Sequence, residues 1–257
     1  MEGTNDWIHF YDGKPNFNIE AYFKKLGINP DKPLYGMATS VMWDAQIDFP
    51  SNFYKNSLEW IFDTINFFSK NSSLQLIIRI SPAEIAAGKP ARQKVFDEIK
   101  KKYKKIPSNI FLIKPEDRIS SYKVLEKCEY IFIYGSRIGI ELAARGKKII
   151  VCGEGFIRNK NIALDIESKE NYQKILEQIS QNKLKFDNFD IVRAKKYAYH
   201  FFFRRMFQFK SIKERSNKWP NFTISENFIK YLKDGSDLAL EKTSSSIIND
   251  KDYILED

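Results

Sequence analysis

The residues Tyr134-Gly135-Ser136-Arg137-Ile138-Gly139-Ile140-Glu141 carry the clearest chemical signal in this chain. A short apolar run, Glu129–Tyr134, ends at Gly135, and an amphipathic helix is expected over 136–145, with Gly146 as its left-handed stop. A strand, a small-residue turn and a helix aim free backbone N–H groups and a positive helix end at one point. That arrangement suits an oxyanion such as a diphosphate. Ser136 would cap the helix and contact the anion, Gly135 and Gly139 would allow close approach, and Arg137 would add positive charge. Glu141 lies about 1.4 helical turns beyond Ser136, so its carboxylate could face the same cleft. An ordinary N-cap on a buried crossover helix, and a solvent-facing Glu, are the plain alternatives.

Three further segments hold polar groups at the ends of apolar runs. Arg79-Ile80-Ser81-Pro82-Ala83-Glu84 closes the second run, and an Arg inside such a run is costly unless paired or close to the strand mouth. Lys114-Pro115-Glu116-Asp117-Arg118-Ile119-Ser120-Ser121-Tyr122 follows the third. Its two serines and tyrosine could hold a base, ribose or phosphate, or Ser120 could be a simple cap. Trp43-Asp44-Ala45-Gln46 follows the first, where a Trp beside an Asp could stack on and bond a sugar, or merely pack.

The elements that must position these residues alternate regularly. Strands are expected over 34–39, 74–80, 109–114, 129–134 and 147–152. Helices are expected over 52–69, 90–103, 120–127, 136–145 and 168–180. Such alternation implies βαβ crossovers and an α/β fold with a doubly wound parallel sheet of about five strands. Ligands of such sheets bind beyond the carboxyl ends of the strands, which selects the loops just described. Residues 1–32 read as a lead-in strap with a short helix over 19–26, 33–185 as the sheet domain, and 186–233 as C-terminal helices over 191–209 and 225–232. The remainder, 234–257, reads as an acidic, Ser-rich flexible tail.

Composition narrows the class. The chain has 257 residues, 43% hydrophobic, with 21 Phe and 13 Tyr, enough for a sizeable core. No apolar run approaches the roughly 20 residues of a membrane span. The N-terminus lacks the basic and apolar regions of a signal peptide, so a cytoplasmic location is expected. Cys128 and Cys152 read as reduced thiols. His9 and His200 are far apart and nothing has metal-ligand spacing, so neither a metal nor a cofactor is expected. Asp250-Lys251-Asp252 matches Asp-x-Asp only formally, because no strand precedes it. Walker, Gly-x-Gly-x-x-Gly and Gly-x-Ser-x-Gly motifs are absent. The net charge of +9 is partly local: residues 193–218 hold nine Lys or Arg and one Glu, interleaved with aromatics. A nucleic acid, an anionic membrane face or a further domain of the same protein would each suit that stretch. The helical spacing of its aromatics argues against nucleic acid.

Taken in order, Trp43–Gln46, Arg79–Glu84, Ser120–Tyr122 and Tyr134-Gly135-Ser136-x-x-Gly139-x-Glu141-Leu142-Ala143-Ala144-x-Gly146 resemble the capsule polysaccharide biosynthesis glycosyltransferases. The resemblance runs over about 34–210 and covers the C-terminal, donor-binding half of a GT-B enzyme. It implies a single Rossmann-like domain that binds a nucleotide-sugar as substrate without a metal. A glycan acceptor and a facing N-terminal domain are the implied partners, with possible peripheral association at the inner membrane. Ser81, Ser120, Ser121, Tyr122, Tyr134, Gly135, Ser136, Arg137, Gly139, Glu141, Arg158 and Lys160 would then border the donor. Trp43, Asp44, Arg79 and Glu116 would contact sugar or cleft, with Glu84 and Glu141 as catalytic candidates. This chain departs from the family at Ser81-Pro82, where the pattern has His-Pro, and at Asn161, where it tends to Gly. The resemblance also implies a chain that binds nucleotide yet turns over poorly alone. A nucleotide-sugar epimerase and a non-catalytic nucleotide-binding scaffold are the alternatives.

Overall fold

The structure, a computed structural model, describes residues 18–42, 53–85, 90–186, 189–206, 208–214, 222–233 and 235–254. The chain divides into two compact units, the second beginning at Lys195. In the first unit, α1 (Ile19–Leu26) precedes β1 (Leu34–Ala38), α2 (Ser57–Lys70), β2 (Gln75–Arg79), α3 (Val95–Lys102), β3 (Ile110–Ile113) and α4 (Ser121–Leu125). Then follow β4 (Tyr130–Ile133), α5 (Ile138–Ala144), β5 (Lys148–Val151), β6 (Leu164–Asp165), α6 (Lys169–Ser180) and α7 (Ile191–Tyr199), which runs on across the division.

The six strands form one parallel sheet in the order β3-β2-β1-β4-β5-β6. This is a doubly wound, Rossmann-like α/β fold, with one short edge strand more than the sequence suggested. Its inner strands are continuous apolar runs because helices cover both faces. On one face Tyr35, Met37, Leu76, Ile78, Phe132 and Ile150 pack with Trp60, Ile61, Phe68, Val95, Tyr172 and Leu176 from α2, α3 and α6. The buried hydroxyls of Thr64 and Tyr172 satisfy each other at 2.7 Å, and Thr64 also donates to the Trp60 carbonyl. On the other face α4 lies against β1 so closely that a Cβ on Gly36 would stand 2.7 Å from Leu125 Cδ2 and 2.9 Å from Cys128 Sγ.

Helix ends follow local chemistry. Asn56 Oδ1 accepts from Glu59 N at the start of α2, and Glu59 Oε2 reaches back to Lys55 N. Ser168 and Asn171 make the equivalent exchange at α6. Gly146, at φ 84°, closes α5 with its own N–H on Ala143 O and that of Lys147 on Leu142 O.

The second unit contains the remainder of α7 and a π-helical turn, His200–Arg204, then an antiparallel pair, β7 (Ile212–Glu214) with β8 (Phe222–Ile224). Two helices follow, α8 (Phe228–Tyr231) and α9 (Leu238–Ile248). α9 stands where the acidic, Ser-rich composition implied a flexible tail. The difference has a local cause. Asp237 is buried; its Oδ1 caps Ala239 N and its Oδ2 accepts from Ser211 N at 3.0 Å, tying the helix start to β7.

Gly36→Val should lose about 2–3 kcal/mol of stability, because the side chain must displace Leu125 and Cys128. Urea unfolding checks this, and adding Leu125→Ala should return part of the loss.

Candidate functional site

Strand order reverses between β1 and β4, so the loops that leave their carboxyl ends diverge to opposite faces. The loops after β2, β3 and β5 end on the same edge of the sheet. Trp43 and Asp44, which follow β1 in the sequence, lie outside the described residues.

Arg79 ends β2 and is almost wholly buried. It does not present its guanidinium to a cleft. Nε donates to Ser121 Oγ at 3.0 Å, while the terminal nitrogens donate to the carbonyls of Lys114 and Asp117. The side chain therefore pins the whole 114–121 loop onto the end of β2. Ser121 is occupied in that contact. Ser120 caps α4 by accepting from Lys123 N. Tyr122 and Glu141 meet each other: the phenol donates to Glu141 Oε2, joining α4 to α5, and Arg145 lies 4.9 Å over the Tyr122 ring. Glu116 is exposed, within 3.8 Å of Lys114 Nζ.

Ser81 organises its own turn. Its N–H donates to Thr39 Oγ1 and its Oγ accepts from Ala83 N, opening a 3-10 turn over Pro82–Ile85. Glu84, in that turn, is fully buried. Its Oε1 accepts from Val95 N at 2.9 Å and so supplies the cap that Lys94 does not give to α3. Oε2 has no partner among the described residues. Burial raises the Glu84 carboxyl above its usual range, against the opposing pull of the Val95 N–H.

At β4 the expected and observed geometries differ in two ways. Tyr134 points into the core rather than the cleft. It is 1% exposed, its ring is tilted against Trp60 at 5.5 Å, and burial pushes its phenol up to about 12. The N-cap position of α5 falls at Arg137, which has helical φ and ψ and makes no side-chain cap bond; Ser136 does not cap. The first turn closes instead through Gly139 N on Ser136 O and Ile140 N on Arg137 O. Among the described residues the Ser136 hydroxyl and the N–H groups of Gly135 and Ser136 therefore meet no protein partner. The surrounding backbone is close-packed. A Cβ on Gly139 would lie 2.5 Å from Ile133 Cδ1, and one on Gly155 would lie 3.0 Å from Gly135 Cα. The loop after β5 thus rests directly on the turn after β4.

Arg158 holds that loop in shape. It is 9% exposed, donates from Nη2 to Ile166 O at 2.7 Å, and lies 4.0 Å from Glu154. Lys160 is exposed between Asn159 and Asn161, both in left-handed conformation at φ 58° and 55°. Asp165, which the sequence reading passed over, supports the same turn. Its Oδ2 accepts from Asn159 N at 2.7 Å, and Oδ1 is buried without a partner among the described residues. Burial raises its carboxyl. The paired asparagines were the available signal, since Asn tolerates left-handed backbone and needs an acceptor for its freed N–H.

Among the described residues no group of three or more His, Cys, Asp or Glu could hold a metal ion, and no helix is long and apolar enough to cross a membrane. Both cysteines are buried free thiols.

The fold and this edge define a Rossmann-like domain whose loops after β4 and β5 form a small-residue, N–H-bearing mouth. No sequence-family model matches the chain, and no curated protein is similar to it in sequence. Among solved structures, it is similar to Thermosulfurimonas dismutans KpsC, a beta Kdo 2,4 transferase, at 12% identity over 74% of this chain and 47% of that one, with a TM-score of 0.44. It is also similar to a glycosyltransferase from Rickettsia africae ESF-5, at 15% identity over 75% of this chain and 49% of that one, with a TM-score of 0.45. The corresponding figures for the S. aureus MnaA–UDP co-structure are 16%, 75%, 48% and 0.43. The chain spans about half the length of each of these structures.

Arg79→Met should cost about 2–3 kcal/mol, because three acceptors lose a buried charged donor. Hydrogen exchange should show the loss of protection concentrated at 114–121. Glu84→Gln tests the buried carboxyl. The folded state raises its pKa above the ordinary 4.5, so the folded state holds the proton more tightly. Its contribution is intact below that pH and is lost as pH rises through the folded pKa. The stability of Glu84→Gln relative to the parent should therefore increase with pH across this window and then level off, as read by denaturation at a series of pH values.

Proposed function

We propose that the first unit is the nucleotide-sugar-binding domain of a GT-B glycosyltransferase that builds a bacterial capsule or other surface polysaccharide. The supporting observation is the mouth formed by Gly135, Ser136 and the loop after β5. Among the described residues a hydroxyl and two N–H groups there have no protein acceptor, and Gly155 lets the loop after β5 pack directly on Gly135. Donors held in place before the ligand arrives stabilise a leaving diphosphate without reorganisation. In this reading Ser136 contacts phosphate, with Arg137 and Lys160 adding positive charge. Arg79 and Arg158 act through the loops that they fix. Ser120 and Ser121 set the start of α4, and Tyr122 with Glu141 sets the spacing between α4 and α5. The order of Arg79–Glu84, Ser120–Tyr122 and Tyr134–Gly146 along the chain, which resembles the capsule glycosyltransferases, supports the choice of donor. The acceptor and the base that activates it belong to a facing domain.

Calorimetry with CMP, UDP, GDP and their sugars tests the reading. One nucleotide should bind, and Ser136→Ala should weaken it by roughly ten- to a hundredfold, the worth of one hydrogen bond to a charged group. Binding of none of them would refute the proposal. With a bound sugar, release of free sugar or an isomer in the absence of acceptor would mark an epimerase instead.

A further inference from the structure

The stretch 191–213 holds seven Lys or Arg and no Asp or Glu. Its part in the second unit, from Lys195 through the π-helical turn, displays an unusual outer face. Tyr199, Phe203 and Met206 are 51%, 53% and 47% exposed, and Lys195, Lys196 and Arg205 are exposed beside them. The Tyr199 and Phe203 rings stack on each other at 5.6 Å and 23°. At roughly 100° per residue, Lys195 and Lys196 fall on the two margins of an arc of about 100°. Tyr199 and Phe203 lie between them. A ridge of large apolar groups flanked by long cationic side chains matches the boundary between lipid headgroups and acyl chains. The rings enter that boundary, while the lysine stems lie along it and their ammonium groups reach the headgroups.

The charge selects the occupant. With no acidic side chain in 23 residues, the face attracts a dense negative surface. A polynucleotide would answer the charge but not the rings. Base recognition needs rings presented singly as platforms, and here the two exposed rings are stacked on each other.

We propose that the face carrying Lys195, Lys196, Tyr199, Phe203, Arg205 and Met206 docks the protein on an anionic lipid surface. The inference goes beyond the nucleotide site and does not depend on it, because docking is measured without nucleotide.

The test is co-sedimentation of the full chain with phosphatidylcholine vesicles, with and without about 30 mol % phosphatidylserine. Partition into the anionic vesicles should be at least about tenfold stronger and should fall with added salt. Lys195→Gln with Lys196→Gln should lower it roughly 25-fold, at about fivefold per basic residue. Tyr199→Ser with Phe203→Ser should lower it as well, including in salt that screens the charge. All four side chains lie outside the core, and an unchanged melting temperature checks that each variant is folded. Failure to bind anionic vesicles at low salt overturns the proposal, as does binding insensitive to both pairs of changes. An RNA homopolymer bound independently of the rings would assign the face to nucleic acid. A dimer dissolved by Phe203→Ser, without vesicle binding, would assign it to a second copy of the chain.

Discussion

The buried guanidinium of Arg79 is the interaction on which the candidate site depends. A charge this far from water is tolerated only with its donors satisfied. Arg79 closes β2, at the level where the chain turns away from the sheet, and its partners are the carbonyls of Lys114 and Asp117 and the hydroxyl of Ser121. Meeting that demand fixes the loop after β3 and the entry to α4. α4 in turn sits on Gly36 of β1 and carries Tyr122 to Glu141 on α5. One electrostatic requirement is thus passed through β3 and α4 to the helix that follows the Gly135-Ser136 turn.

Arg158 repeats the device on the other side of β4. Its guanidinium reaches Ile166 O, and the loop it shapes rests on Gly135. Both arginines had been expected to touch ligand, and both instead bond loop carbonyls.

The parallel sheet was legible because periodicity and burial are local properties. Runs such as Ile110–Ile113 and Tyr130–Ile133 are apolar at every position, as strands covered on both faces must be. The cap Ser120 was legible for the same reason, whereas the start of α2 at its cap Asn56 was not. Side-chain direction was not. Tyr134, one residue beyond β4, turns its ring into the core, which composition does not reveal. The partners of Arg79, 35 to 42 residues away, depend on how β2 pairs with β3. The helix α9 escaped because its anchor, Asp237, is fixed by Ser211, 26 residues earlier.

Of two carboxyls with raised pKa, Glu84 is buried and Asp165 half-buried. Glu84 and Asp165 flank the same edge of the sheet, one after β2 and one at the end of β6. Each gives one oxygen to a backbone N–H and leaves the other without a partner among the described residues. Burial raises both, so each opposes folding once it ionises. A core built only for stability would replace them with an amide or an apolar side chain. Their positions suggest what they supply instead. Glu84 fixes the start of α3, and Asp165 holds the left-handed turn that displays Lys160. Both restrain loops at the carboxyl-end edge of the sheet, the edge where ligands of doubly wound folds bind.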